Sequence, residues 1–227
     1  MTTLPLDTPQ PSQFGQALAN ARAASPLLFN SALLMLALWL GCSALELVDH
    51  RLINGVSVWV KPAKFFLSLA VHLATVAWAL SLLTPQARAT RGMHGATRLI
   101  ALCAWAEMAY IMFRAARGEA SHFNQSSILA QVAYSVMGAG AVTITMATAA
   151  VGIKLLRSKP RNLWTEAAGL GLVLGAVLGT LAGIYVSQQT GHWVGGDQTD
   201  ASGTGFFHWS TTGGDLRVAH FVGLHAC

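Results

Sequence analysis

The sequence predicts an all-α, polytopic transmembrane helix bundle with five full spans and a sixth cut short at the C-terminus. Three observations carry that prediction. Of 227 residues, 53% are hydrophobic and 10% charged, with mean hydropathy +0.49; a soluble domain carries about 25% charged residues. Five apolar runs approach the roughly 20 residues that a helix needs to cross a hydrocarbon core about 30 Å thick. Basic residues gather in short connections between those runs, where orienting charges belong. The same composition excludes a disordered chain, and the three cysteines, Cys42, Cys103 and Cys227, are too few for a disulfide scaffold. A net charge of +5 would suggest nucleic acid in a soluble protein. No basic face with interleaved aromatics exists here, so the expected partner is the lipid bilayer and not nucleic acid.

Taken in order, residues 1–26 form a polar N-terminal segment with Asp7 and Arg22 and no apolar core, so no signal peptide is expected. Residues 27–227 form the transmembrane domain. Its spans are expected at 27–48, 63–83, 98–113, 128–153 and 163–186, the third only just long enough. Cys42 follows Leu40 and Gly41 as in a lipoprotein cleavage site, but the chain continues into more membrane, so Cys42 reads as a buried small apolar residue. Trp59, Trp164 and Trp193 stand at span ends, as interfacial anchors do. The fifth span carries Gly171, Gly175, Gly179 and Gly183, a ladder that lets another backbone approach closely. Packing within the chain is the expected use of this ladder, and a homo-oligomer is the alternative. The stretch from about 188 to 216 is Gly-rich, lacks phosphate-loop spacing, and reads as a flexible outer loop. A sixth apolar helix begins at Val218 and the sequence ends at Cys227. Ten helical residues rise about 15 Å, too little to cross, so a truncated C-terminus or a half-span is expected.

Orientation follows from Lys and Arg in the connections. Arg88, Arg91 and Arg98 lie between spans two and three, and Lys154, Arg157, Lys159 and Arg161 between spans four and five, with no acid in either group. The fifth connection instead sets Asp197, Asp200 and Asp215 against Arg217. The chain is therefore expected in the inner (cytoplasmic) membrane with a cytoplasmic N-terminus. Lys61 and Lys64, on the other side, run against the contrast.

Ionisable groups at membrane depth are costly and mark function by default. His72 in the second span, Glu107 in the third and His225 in the last helix come from three different helices near the bilayer midplane. Ser68 shares the face of His72 at a spacing of four. His122, His220 and His225 lie on or near outward connections, as do His192 and His208. A polar mouth is completed by Lys61, Lys64, Arg117, Asn124, Asp215 and Arg217. Imidazole suits zinc and haem iron. The first expectation is a buried His/Glu site open to the extracytoplasmic side that holds zinc or haem through His72, His225, His220 or His122. An enzyme built on it would be a metal-dependent hydrolase with Glu107 as base, or a haem oxidoreductase. A proton relay through Glu107 and His72 and a purely structural bundle are the alternatives. The bland readings are a packed His72, a neutral Glu107, and Ser121 or Asn124 as a cap of the fourth span. His220 and His225, five apart, diverge by about 140° on a regular helix.

The Ser68–His72 pair, the acid Glu107 and the terminal histidines are similar to the arrangement in ceramidase and progestin-receptor-like membrane hydrolases. That resemblance implies a membrane hydrolase, although that family's last motif has three residues between its histidines where this chain has four, and an Asp where this chain has Glu. Across most of the chain, 59–65, 116–124 and 209–226 resemble an uncharacterised family of bacterial multi-span inner-membrane proteins whose members continue into further helices. That resemblance implies the fold and no activity.

Overall fold

A computed structural model of the chain describes residues 12–124 and 126–224. Helix α1, Gln13–Ala24, starts where the Ser12 hydroxyl accepts from the Gly15 amide, 3.1 Å away. Ser25 closes it and caps α2, Pro26–Leu45, by accepting from Leu28. Pro26 costs nothing there, because a first-turn amide has no helical acceptor to lose. The polar N-terminal segment is thus helical from Gln13 on, and α1 packs on α3 (Val60–Ser81) with Ala21 buried.

Helices α2, α3, α5 (Arg91–Ala116), α6 (Ile128–Arg157) and α7 (Leu163–Ser187) are each long and apolar enough to cross a membrane. Between α3 and α5 lies the one-turn helix α4, Pro85–Arg88. The third span is ten residues longer than its apolar core, because the polar stretch from Arg91 and the last turn to Ala116 continue the helix beyond the hydrophobic middle. Sequence neighbours are spatial neighbours, and α3 sits centrally, touching α1, α2, α5, α6 and α7. Leu28, Met35, Phe66, Leu73, Ile100, Met108 and Val151 fill the interior, while Leu34, Leu102 and Leu181 face outward. An outward apolar surface is what a bilayer solvates.

The connections alternate between two ends. One end, here the basic end, holds 82–90 and 158–162 with Arg88, Lys159 and Arg161; the other, the cap end, holds 46–59, 117–127 and 188–215. At the cap end β1 (Leu52–Ile53) and β2 (Val56–Ser57) form a hairpin. Its turn residues Asn54 and Gly55 both take positive φ, 54° and 83°, the conformation that an Asn-Gly pair supplies in a two-residue hairpin. The Asn54 carbonyl accepts from the Asp200 amide at 2.9 Å and the Thr199 hydroxyl at 3.1 Å. Strands β3 (Trp193–Val194) and β4 (Gly214–Asp215) pair antiparallel. The expected flexible loop is therefore a hydrogen-bonded cap. Its order comes from bonds between residues some 145 positions apart, which local glycine content does not report.

Helix α8, Leu216–Leu224, runs down the glycine ladder of α7. A Cβ on Gly175 would lie 3.1 Å from the Leu224 carbonyl oxygen, one on Gly179 would overlap the Leu224 side chain, and one on Gly183 would lie 3.0 Å from the His220 ring. Gly171, at the foot of the ladder, is buried. The ladder is filled from within the chain, and a homo-oligomer through this face would have to displace α8. Gly152 and Gly169 make a second close crossing, between α6 and α7.

Candidate functional site

The polar site forms where α3, α5, α8 and the 117–127 connection meet beneath the cap. Lys61 and Lys64 occupy the first turns of α3. Glu107 lies nine residues from the cap end of α5, a depth of about 14 Å at 1.5 Å per residue. Lys61 is the charged group that acts on Glu107, and it also feels Lys64, Arg217 and Asp200. His122 is pressed between the rings of Phe65 and Tyr134, each 5.7 Å away, with Nδ1 3.1 Å from the Ser121 hydroxyl. Burial holds His122 well below the ordinary imidazole range, and the neighbouring charges of Lys61 and His220 push the same way. Its surroundings therefore favour the neutral imidazole. His220 Nδ1 lies 3.0 Å from the Gly179 carbonyl. A carbonyl only accepts, so His220 Nδ1 carries the proton and donates.

Above this layer Arg217 organises the cap. Its guanidinium donates to Asp200 at 2.8 Å, to Asp215 at 2.6 Å and to the His208 carbonyl at 2.6 Å. Asp215 also accepts from the Ser210 amide. Burial raises the Asp215 carboxyl, but the Arg217 and Ser210 hydrogen bonds outweigh it and hold the group below its usual range. His192 sits 3.7 Å from Asp200 and 3.6 Å from Asp215. Burial lowers it to about 4, and the Arg217 charge adds to that against the opposing pull of the two aspartates. Lys64 ties α3 to the cap by donating to the Phe207 carbonyl at 3.0 Å.

Of the residues expected at the mouth, Lys64, Asp215 and Arg217 join this cap and Lys61 lies below it. Arg117 pairs with Glu119, and Asn124 donates to the Ala120 carbonyl and accepts from Ser126. Both shape the 117–127 connection. Neither Ser121 nor Asn124 caps α6: Ser127 does, its hydroxyl accepting from Ala130. Asp200 and His192, expected on the outward fifth connection, join the site, as does Tyr134, which no spacing in the sequence distinguishes from other span residues.

His72 is placed elsewhere. It lies twelve residues into α3, about 18 Å from the cap end, with Nε2 3.1 Å from the Thr148 hydroxyl of α6. Ser68, one turn nearer the cap, is half-buried. Among the described residues no three His, Cys, Asp or Glu side chains gather as zinc ligands, and His225, the expected partner of His72, lies outside the described residues. His72 bonds Thr148 across to α6, His220 bonds a backbone carbonyl of α7, and Glu107 feels the charge of Lys61, so the three are partnered on different elements. Comparison with family models, with curated proteins and with solved structures yields no match to this chain, so the site is read from its own chemistry.

Proposed function

We propose that this integral membrane protein lies in the inner membrane with its N-terminus cytoplasmic and its cap outward, and that it exchanges protons with the outer side through the Lys61–Glu107 pair. One observation carries the reading: an acid at membrane depth on α5 answers a lysine on α3, with His122 within electrostatic reach of that lysine and His220 within reach of His122. Intramembrane acids opposed by a base are how proton pathways are built. Glu107 is the group that takes and releases the proton, Lys61 stabilises its ionised form, and the two imidazoles connect the pair to the cap. The glycine ladder, the natural surface of a purely structural protein, is already occupied by α8, which favours the relay over an assembly role.

The test is proton flux into proteoliposomes containing a pH dye, driven by a potassium diffusion potential. Wild-type protein is expected to acidify or alkalinise the lumen faster than empty vesicles. Glu107→Gln is expected to cut that flux about a hundredfold, the low end of what one positioned proton donor contributes, with unchanged elution in detergent. Flux equal to that of empty vesicles, or undiminished in Glu107→Gln, overturns the reading.

A further inference from the structure

At the basic end, a cleft of about 310 Å³ opens where α4 and the first turn of α5 meet the last turns of α6. Its floor is apolar, from Met93, Ala150 and Ile153, and its rim carries Lys154, Arg157 and Lys159. Three positive charges line it and no acid does. Among the described residues none of the three cations makes an ion pair, and Glu166, the described acid at this end, is exposed and equally unpaired. Lys154 is half-buried, whereas Arg157 and Lys159 are exposed. Basic residues in the last turn of a helix also compensate its dipole, but that needs neither a cleft nor Lys159, which stands beyond the helix.

The cleft is graded along the membrane normal. Ile153, outward-facing and 40% exposed, lies toward the apolar body of α6, and the charges follow at its polar end. A ligand that fits must carry an anionic group at the interface and a hydrocarbon part below it. Inorganic phosphate satisfies the rim alone. We infer that this cleft binds the phosphate headgroup of an anionic phospholipid, with the acyl chain against Ile153 and Ala150. Basic pockets between helix ends on the cytoplasmic side hold such headgroups in just this way.

The test measures lipid retention by the full chain in nanodiscs of phosphatidylcholine doped with spin-labelled phosphatidylglycerol or, separately, spin-labelled phosphatidylcholine. The immobilised fraction is expected to favour phosphatidylglycerol several-fold. The double variant Lys154→Gln, Arg157→Gln is expected to bring the two lipids to nearly equal retention, because it removes two of the three cations that attract the anionic headgroup. The double variant Arg91→Gln, Arg161→Gln removes two charges outside the lining and is expected to keep it. Equal retention of the two lipids by wild type overturns the inference. So does loss of preference in the control variant, which would make the effect one of general surface charge. Displacement of phosphatidylglycerol by millimolar inorganic phosphate assigns the rim to a free anion and overturns the lipid assignment. Thermal unfolding of each variant in detergent identifies those that fail to fold. Should the first double variant be one, Lys159→Gln alone, outside the helix, is expected to reduce the preference, and no reduction overturns the inference.

Discussion

Arg217 is the residue on which the cap depends. Its partner Asp215 keeps only 1% of its side chain in solvent, while Arg217 keeps 25%. Removing one member of a buried ion pair costs roughly 3–5 kcal/mol, because the other charge stays desolvated and unanswered. Arg217→Gln is expected near the lower bound, since the guanidinium is partly hydrated, and the readout is faster proteolysis within 195–214. The cap should also respond to pH. The Asp215 carboxyl is held below its usual range, so the folded state binds fewer protons than the unfolded one, and its stabilisation is lost as pH falls through that lowered value. His192 is held at about 4 against an ordinary 6.5, so it too costs stability as pH falls from about 6.5 toward 4. The expected result is proteolysis that quickens on going from pH 7 to pH 5, as His192, and with it His208 and His122, whose imidazoles are also held below their ordinary range, take up protons more readily once the cap opens. His192→Gln should flatten that step, and a pH-independent rate in wild type would remove His192 from the balance. At this scale the sequence was legible where burial was obvious. Glu107 stands out because an acid within an apolar run has no cheap explanation. Asp200 and His192 were legible as polar residues of the outer connection but not as a cluster, because a loop acid and a loop histidine come together only after the Asn54–Gly55 turn captures Asp200 and Thr199.

Among elements, the decisive question is which crossings tolerate a methyl group. On Gly179 a Cβ would overlap the Leu224 side chain, whose Cγ stands 2.7 Å and Cα 3.4 Å off, so relief needs that whole side chain to turn. On Gly152 it meets the Gly169 carbonyl oxygen at 2.8 Å, with Val173 and Leu172 at 3.0 and 3.1 Å. Backbone cannot rotate aside, so the α6–α7 crossing must open. Gly152→Ala is therefore expected to lower the thermal midpoint in detergent more than Gly179→Ala does, by an amount equivalent to about 1–3 kcal/mol of overpacking. The reverse order would mean that α8, not α6, is the tightly held neighbour of α7. The ladder itself was readable from its four-residue period, and its partner was not, because a short helix after a long loop gives no sign of where it docks. Helix limits were legible only for the long apolar runs: α5 extends from Arg91 to Ala116 and α1 is a short helix interrupted by Gln, Asn and Arg, so hydropathy reports the membrane-embedded part and misses the turns outside it.

For the whole molecule, alternating connections put seven basic residues of α4, α5, α6 and the 158–162 link toward one end, and the proposed orientation keeps that end in the cytoplasm because positive connections resist translocation. Lys61 and Lys64 were the dissenting charges in the sequence, and the fold accounts for them. Neither is a loop charge: Lys64 donates to Phe207 beneath the cap, and Lys61 is opposed by Glu107. Charges answered locally bias insertion less than solvated ones, so they do not offset the basic end. A direct measurement follows with Cys42, Cys103 and Cys227 replaced by alanine and single cysteines returned at exposed sites. Ser202→Cys and His50→Cys, on the cap end, are expected to react with a membrane-impermeant maleimide in intact cells. His94→Cys and Arg161→Cys, on the basic end, are expected to react only after the membrane is opened. The opposite pattern would turn the cap toward the cytoplasm and make the proton site load from inside. Labelling of all four in intact cells would mean that the helices do not cross as the alternation of their connections requires.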